Sequence, residues 1–205
     1  MKLQKLHYFS GLLLSVFIAL HLFNHFWSIW GAEKHIELMH LLRHFYRHIL
    51  VEVLIVGAVC VQIVSGCWLF VRQRKKAQTF FERLQLRSGL YLAFFLSIHL
   101  SAVLVGRLVL HLDTNFYFGV AGLNTFPFNL FFVPYYAFAI LAFFAHLAAI
   151  HSRKMHQNIL GLTPIAQAKL ILWIGFLAAF LLLYGLTNHF QGVAIPVEYN
   201  ILIGK

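Results

Sequence analysis

The sequence predicts an all-α integral membrane protein. Five transmembrane helices are expected, four of them in a bundle built from two parallel hairpin repeats, with the fifth beside it. Three observations carry this. Of the 205 residues 61% are hydrophobic and only 11% charged, with mean hydropathy +0.79, whereas a soluble domain carries about 25% charged residues. Five apolar windows of roughly 20 residues occur, the length that crosses a bilayer. A local pattern also recurs: Ser10-Gly11-Leu12 is followed by His21-Leu22, and Ser88-Gly89-Leu90 by His99-Leu100, with ten residues from glycine to histidine each time.

The windows cover approximately 8–30, 49–71, 88–111, 131–151 and 167–188, all within one transmembrane domain. Each is expected to be helical, because lipid cannot satisfy open backbone groups. Lys2 and Lys5 before the first window give it the look of a signal peptide. The run is too long, holds His21, Asn24 and His25, and lacks a small-x-small cleavage site, so it reads as a retained first span. Cys60 and Cys67 lie seven apart on one helical face and read as small buried residues.

The loops give the orientation. With the N-terminus inside, eleven Lys and Arg, from Lys2 to Lys169, fall on the inner side. Five (Lys34, Arg43, Arg47, Arg107, Lys205) fall on the outer side. The positive-inside bias therefore predicts N-in and C-out. The formal net charge of +10 is read as topology rather than nucleic-acid binding. Between spans, residues 31–48 read as a His-rich amphipathic surface helix. Residues 112–130, rich in aromatics, read as an interfacial segment or a lid folded back.

Spans one and three run in the same direction, so His21 and His99 sit at one depth. At 1.5 Å of rise per residue that depth is roughly 15 Å past the glycines, near the middle of hydrocarbon about 30 Å thick. Ionisable residues inside spans are functional candidates by default, and imidazole is a usual axial ligand of haem iron. The pair predicts a haem held in the bundle by His21 and His99, the alternative being an interhelical hydrogen bond. His25, one turn beyond His21, competes with it as ligand or bonds a propionate or quinone. His146 in span four is a further candidate ligand, but its counterpart in span two is Gln62. This leaves His146 five-coordinate, unpaired or bonded to Gln62.

Other polar groups are weaker candidates. His40, His44 and His48 form an i, i+4, i+8 stripe near Glu37, read as a polar face, a proton-exchange surface beside a quinone, or a metal site. Glu52 opens span two and reads either as a partner of Arg47 or His48 or as a proton acceptor from a quinol. Ser88 with Arg87 lies where a propionate or quinone carbonyl would be met. His7, His111, His151, His156 and His189 fall near span ends, where interfacial solvation accounts for them.

Leu6-His7, Gly11, His21-Leu22, Asn24-His25-Phe26, Gly31-Ala32-Glu33, Glu52, Arg87-Ser88-Gly89, His99 and Phe144-Ala145-His146 together resemble the five-helix cytochrome b anchor subunits of succinate:quinone oxidoreductases and fumarate reductases, over roughly residues 5–165. The resemblance implies haem b, held on the outer side by His21 and His99. It implies an inner haem between spans two and four, with His146 as the span-four ligand and Gln62 where the other histidine belongs. One haem is expected and two are possible. It further implies a quinone as substrate, flavoprotein and iron–sulfur partner subunits on the inner face, and a bacterial inner membrane. The chain lacks a dinucleotide fingerprint and a cysteine cluster, so it could not oxidise succinate alone. Two other readings stay open: a membrane cytochrome b for another redox partner, and a haem-free anchor or transporter whose histidines bind metal or relay protons.

Overall fold

The computed structural model describes residues 2–205. Its helices are α1 (Lys2–Phe26), α2 (Ala32–Tyr46), α3 (Ile49–Gln73), α4 (Phe80–Leu108), α5 (Phe116–Val120), α6 (Asn129–Lys154) and α7 (Pro164–Leu186), with 3₁₀ turns at Trp27–Trp30 and Val197–Ile203. Five helices are long and apolar enough to cross a membrane: α1 continued to Trp30, α3, α4, α6 and α7. The chain thus has the helices of a multi-pass membrane protein.

Most helices begin before their hydrophobic windows, whereas α4 and α7 stop two or three residues short of theirs. α4 begins at Phe80, not 88, because Thr79 and Glu82 form a reciprocal capping box that satisfies two N-terminal donors. α7 starts on Pro164, preceded by Thr163, whose side chain accepts from the Ala166 amide. Proline is well placed there because its missing N–H has no helical partner anyway. α1 begins at Lys2, so His7 lies within the helix rather than at its end.

The helices close a ring: α1 packs on α3, α3 on α4, α4 on α6, α6 on α7, and α7 returns to α1 and the Trp27–Trp30 turn. Alanines and branched aliphatic residues line the seams. Leu14, Ala58 and Val59 form one buried cluster, and Ile140, Ala179 and Leu182 another. Gly185 of α7 meets the Trp27–Trp30 turn so closely that a Cβ would lie 2.8 Å from the Ile29 backbone nitrogen and would overlap the Ser28 hydroxyl. Backbone cannot give way as a side chain can. Gly185→Ala is expected to destabilise the fold by about 1–3 kcal/mol, the usual cost of overpacking, read as a lower midpoint of thermal unfolding in detergent. An unchanged midpoint would mean that α7 does not seat this tightly.

The two ends of the bundle differ. One, the basic end, gathers the first turns of α1, α4 and α7 and the last turns of α3 and α6. The other, the capped end, is covered by α2, α5 and the C-terminal turn. Residues 112–130 fold back there: Phe116, Val120 and Leu123 are buried with Leu186 of α7. Arg43 of α2 reaches Asp113 at 2.7 Å, with Arg47 at 4.0 Å. The Tyr199 hydroxyl donates to the Asp113 carbonyl at 3.1 Å.

Candidate functional site

Two layers of polar side chains lie inside the ring. In the layer nearer the capped end, α1 and α4 bring His21 and His99 together, their ring centroids 6.1 Å apart. His99 stacks on Phe95, one turn back, and makes no hydrogen bond among the described residues. His21 Nε2 lies 3.1 Å from His25 Nε2. His25 Nδ1 lies 3.2 Å from His35 Nε2, which Asn24 Nδ2 also approaches at 3.3 Å. The result is a row of imidazoles, His99–His21–His25–His35, running toward the cap.

His35 escaped the sequence reading, which placed the stripe of α2 at His40, His44 and His48. The face of α2 turned inward is instead His35, Met39 and Arg43, all buried. His40 and His44 are exposed, and His44 Nδ1 bonds the His40 carbonyl at 2.8 Å. The available signal was the same i, i+4, i+8 spacing carrying one methionine. His35 is 2% exposed, and its Nδ1, like Asn24 Oδ1, is buried with no hydrogen-bond partner. Burial, with His21 and Arg43 nearby, holds its pKa down at about 4, against an ordinary 6.5. The folded state therefore binds His35 as a neutral group. Its contribution is complete above pH 6.5 and is lost as pH falls toward 4, because the unfolded chain takes up the proton first. The window spans about 3 kcal/mol. Amide exchange along α2, corrected for its intrinsic rate, is expected to accelerate from pH 6.5 to 4 and to do so less in H35Q. An equal response in H35Q would remove His35 as the cause.

The outer carboxylates sit on separate contacts. Glu37 pairs with Lys34 at 2.8 Å on the exposed face of α2. His48 is exposed at the N-cap of α3. Glu52 pairs with Arg107 of α4, rather than with Arg47 or His48. Arg87 is exposed, whereas Ser88 is buried. Cys60 and Cys67, expected to be buried, are exposed.

The layer nearer the basic end carries the repeat further than the sequence pattern did. Gln62 Nε2 donates to the Ser10 hydroxyl at 2.7 Å and to the His7 carbonyl, and a Cβ on Gly11 would meet it at 3.3 Å. His146 Nδ1 lies 3.1 Å from the Gln85 carbonyl and 3.3 Å from the Ser88 hydroxyl, and a Cβ on Gly89 would meet its ring at 3.1 Å. Gln62 on α3 thus takes the place that His146 takes on α6, as expected of the polar residue of span two, and the two do not bond each other. His7 Nδ1 lies 2.7 Å from the Ser65 hydroxyl of α3. Between these groups is a cavity of about 970 Å³, lined by α1, α3, α4 and α6. That is the upper range for sites enclosing an organic ligand or cofactor.

No family model, curated protein or solved structure matches this chain.

The His21–His99 pair has the donor type and the spacing that a haem iron would need. Neutral imidazoles are its usual axial donors. A metal–imidazole bond is about 2 Å long, so rings with centroids 6.1 Å apart are spaced for one ion between them. Ligation through His21 Nε2 requires that nitrogen to leave His25, which keeps His35 as a partner.

Proposed function

We propose that this chain is a b-type membrane cytochrome: the anchor subunit that passes electrons between an iron–sulfur partner and a membrane quinone in a succinate dehydrogenase or fumarate reductase complex. The observation that carries the reading is the His21–His99 pair. Two helices running in the same direction, 78 residues apart in register, bring two imidazoles face to edge inside an apolar bundle. Histidines buried in hydrocarbon are costly, and so are kept for a purpose.

Haem, when bound, supplies reversible one-electron transfer. The chain's own residues do the rest. His21 and His99 would hold the iron between them, and two imidazole ligands would leave it suited to electron transfer rather than to binding oxygen. Phe95 and Phe17 stack on the two imidazoles and fix their planes. The cap formed by α2 and α5 stands at the end of the bundle nearer that layer. In this reading the basic end faces the inner side of a bacterial membrane and docks the flavoprotein and iron–sulfur subunits. Its positive charge suits an acidic partner, although it is also what topology requires.

One observation favours a second reading. The His21–His25–His35 row, ending on an unpartnered His35 Nδ1, has the form of a proton relay in a haem-free protein. The reduced-minus-oxidised visible spectrum of the purified chain, with haem per polypeptide by pyridine haemochrome, separates them. A b-type spectrum in stoichiometric amount is expected. No haem, from cells that load other cytochromes normally, would leave the relay. Co-purification of a flavoprotein and an iron–sulfur protein would then distinguish the proposed complex from another redox partner.

A further inference from the structure

The chamber at the basic end is apolar in its depth and cationic at its mouth. Leu14, Ile18, Leu92 and Leu96 line the inner part, and Lys5, Arg153 and Lys154 the mouth. The donors inside are already spent. Both amide hydrogens of Gln62 go to α1, one to the Ser10 hydroxyl and one to the His7 carbonyl. The Ser15 hydroxyl donates to the Gly11 carbonyl at 2.8 Å. Ser65 donates to the Val61 carbonyl, so it accepts from His7 Nδ1. His146 Nδ1 donates to the Gln85 carbonyl. A quinone, which needs donors for its carbonyls, finds none free in this depth.

The chamber also has an open side. Its lining residues belong to α1, α3, α4 and α6, none to α7, and α1 and α6 are not neighbours in the ring. Phe9 and Leu12 of α1 line the chamber and are also 64% and 55% exposed on the outside, as residues at the lip of an opening are. Across that gap Lys154 of α6 lies over the Tyr8 ring at 3.7 Å. The lip belongs to a membrane-length apolar helix, so the opening admits molecules from hydrocarbon rather than from water.

The mouth carries one sign of charge. Arg153 is steadied by Gln85 at 2.6 Å, and among the described residues Lys5, Arg153 and Lys154 form no ion pair. A smaller cavity of about 420 Å³ shares Gln4 and Gln73 with the chamber and adds Arg72 and Lys76, which also meet no carboxylate. Arg72 lies over the Trp68 ring at 4.8 Å, and tryptophan marks the headgroup level of a membrane. An apolar chamber open to hydrocarbon, with unpaired cations at headgroup depth, is complementary to an amphiphile with an anionic head.

We propose that the chamber binds one anionic phospholipid. An acyl chain enters between α1 and α6 and fills the apolar depth, and the phosphodiester rests on the cationic mouth. Basic pockets between membrane helices on the cytoplasmic side bind acidic headgroups in this way, and charged donors make the stronger hydrogen bonds to phosphate oxygens. Neither His21 nor His99 lines the chamber, so the inference goes beyond the proposed cytochrome function and does not depend on it.

The test uses the whole chain, purified in detergent. Native mass spectra are recorded with dioleoylphosphatidylglycerol or dioleoylphosphatidylcholine added at equal concentration. One phosphatidylglycerol is expected to stay bound, with about tenfold higher affinity than phosphatidylcholine. K5Q/R153Q/K154Q should abolish that preference. R74Q/K75Q/K169Q removes the same charge from the same end at exposed residues that line neither cavity, and should keep it. S15F and L147W narrow the open side from α1 and from α6, and each should lose bound phosphatidylglycerol while the mouth is intact. Loss of the preference in R74Q/K75Q/K169Q as well would reduce the effect to general charge and overturn the site. Unchanged binding in S15F or L147W, in whichever keeps the native gel-filtration profile, would leave the headgroup on the rim with no chain inside, and would overturn it too. A stoichiometric haem lost in H146Q, or a co-purified quinone that the lipid does not displace, would give the chamber another occupant. No haem at His21 and His99 would defeat the proposed function and leave this result standing.

Discussion

Alanine at His21 or at His99 is expected to abolish the haem proposed between α1 and α4, with haem content falling by about one per chain in either variant. The two losses should not add, because removal of one axial ligand already releases the group. The double variant should therefore hold as much haem as either single. The expectation follows from the pairing of the rings at 6.1 Å and from the lack of any hydrogen bond to His99 that a structural role would need. Insertion should survive, since α1 and α4 keep their apolar windows. If both variants kept the native haem content, or if H25A alone removed it, the assignment of the pair would fall.

A second large effect is expected at the capped end. Asp113→Ala leaves Arg43, only 10% exposed at its side chain, without the carboxylate it meets at 2.7 Å. Stranding a buried charge costs about 3–5 kcal/mol when the pair is fully buried. Asp113 is itself 44% exposed, so solvent screens part of the interaction, and a loss of about 2 kcal/mol is the expected scale. It should appear as faster limited proteolysis within residues 112–128 and as a lower thermal midpoint. R43M combined with D113A should recover part of the loss, because no stranded charge remains. Unaltered proteolysis in D113A would show that the ion pair does not hold the cap.

How much of this was legible beforehand depends on what hydrocarbon does to sequence signals. The five spans were readable because lipid demands long apolar helices whatever their packing. Their ends were not, because caps such as Thr79–Glu82 lie outside the apolar windows. The facing of Cys60 and Cys67 was misjudged for a related reason: lipid is as apolar as the bundle interior, so hydropathy cannot tell an inward face from an outward one. The counterpart relation of Gln62 and His146 was legible because Gln62 is the polar side chain within the second apolar window, although the 78-residue offset of α1 and α4 does not join the two. His7 was set aside as an end residue, yet α1 starts early enough to carry it inside and set it against Ser65. His35 was missed because α2 has charged residues on several faces, and only the docking of Arg43 on Asp113 shows which face turns inward.

The latch at the capped end also sets an order of events. Its parts are far apart along the chain: Arg43 waits for Asp113, and Asp113 for Tyr199, 86 residues further on. His21 and His99 both precede Asp113 and Tyr199 in the chain, and Tyr199 follows His99 by 100 residues, so both histidines are clear of the ribosome before the last tie can form. During synthesis there is thus an interval in which the pair is complete and the roof above it is open. A bulky flat group entering from that side would meet an open roof only in this interval. Chains completed without it would then have to unlatch, at the cost of the Arg43–Asp113 pair, before they can be filled.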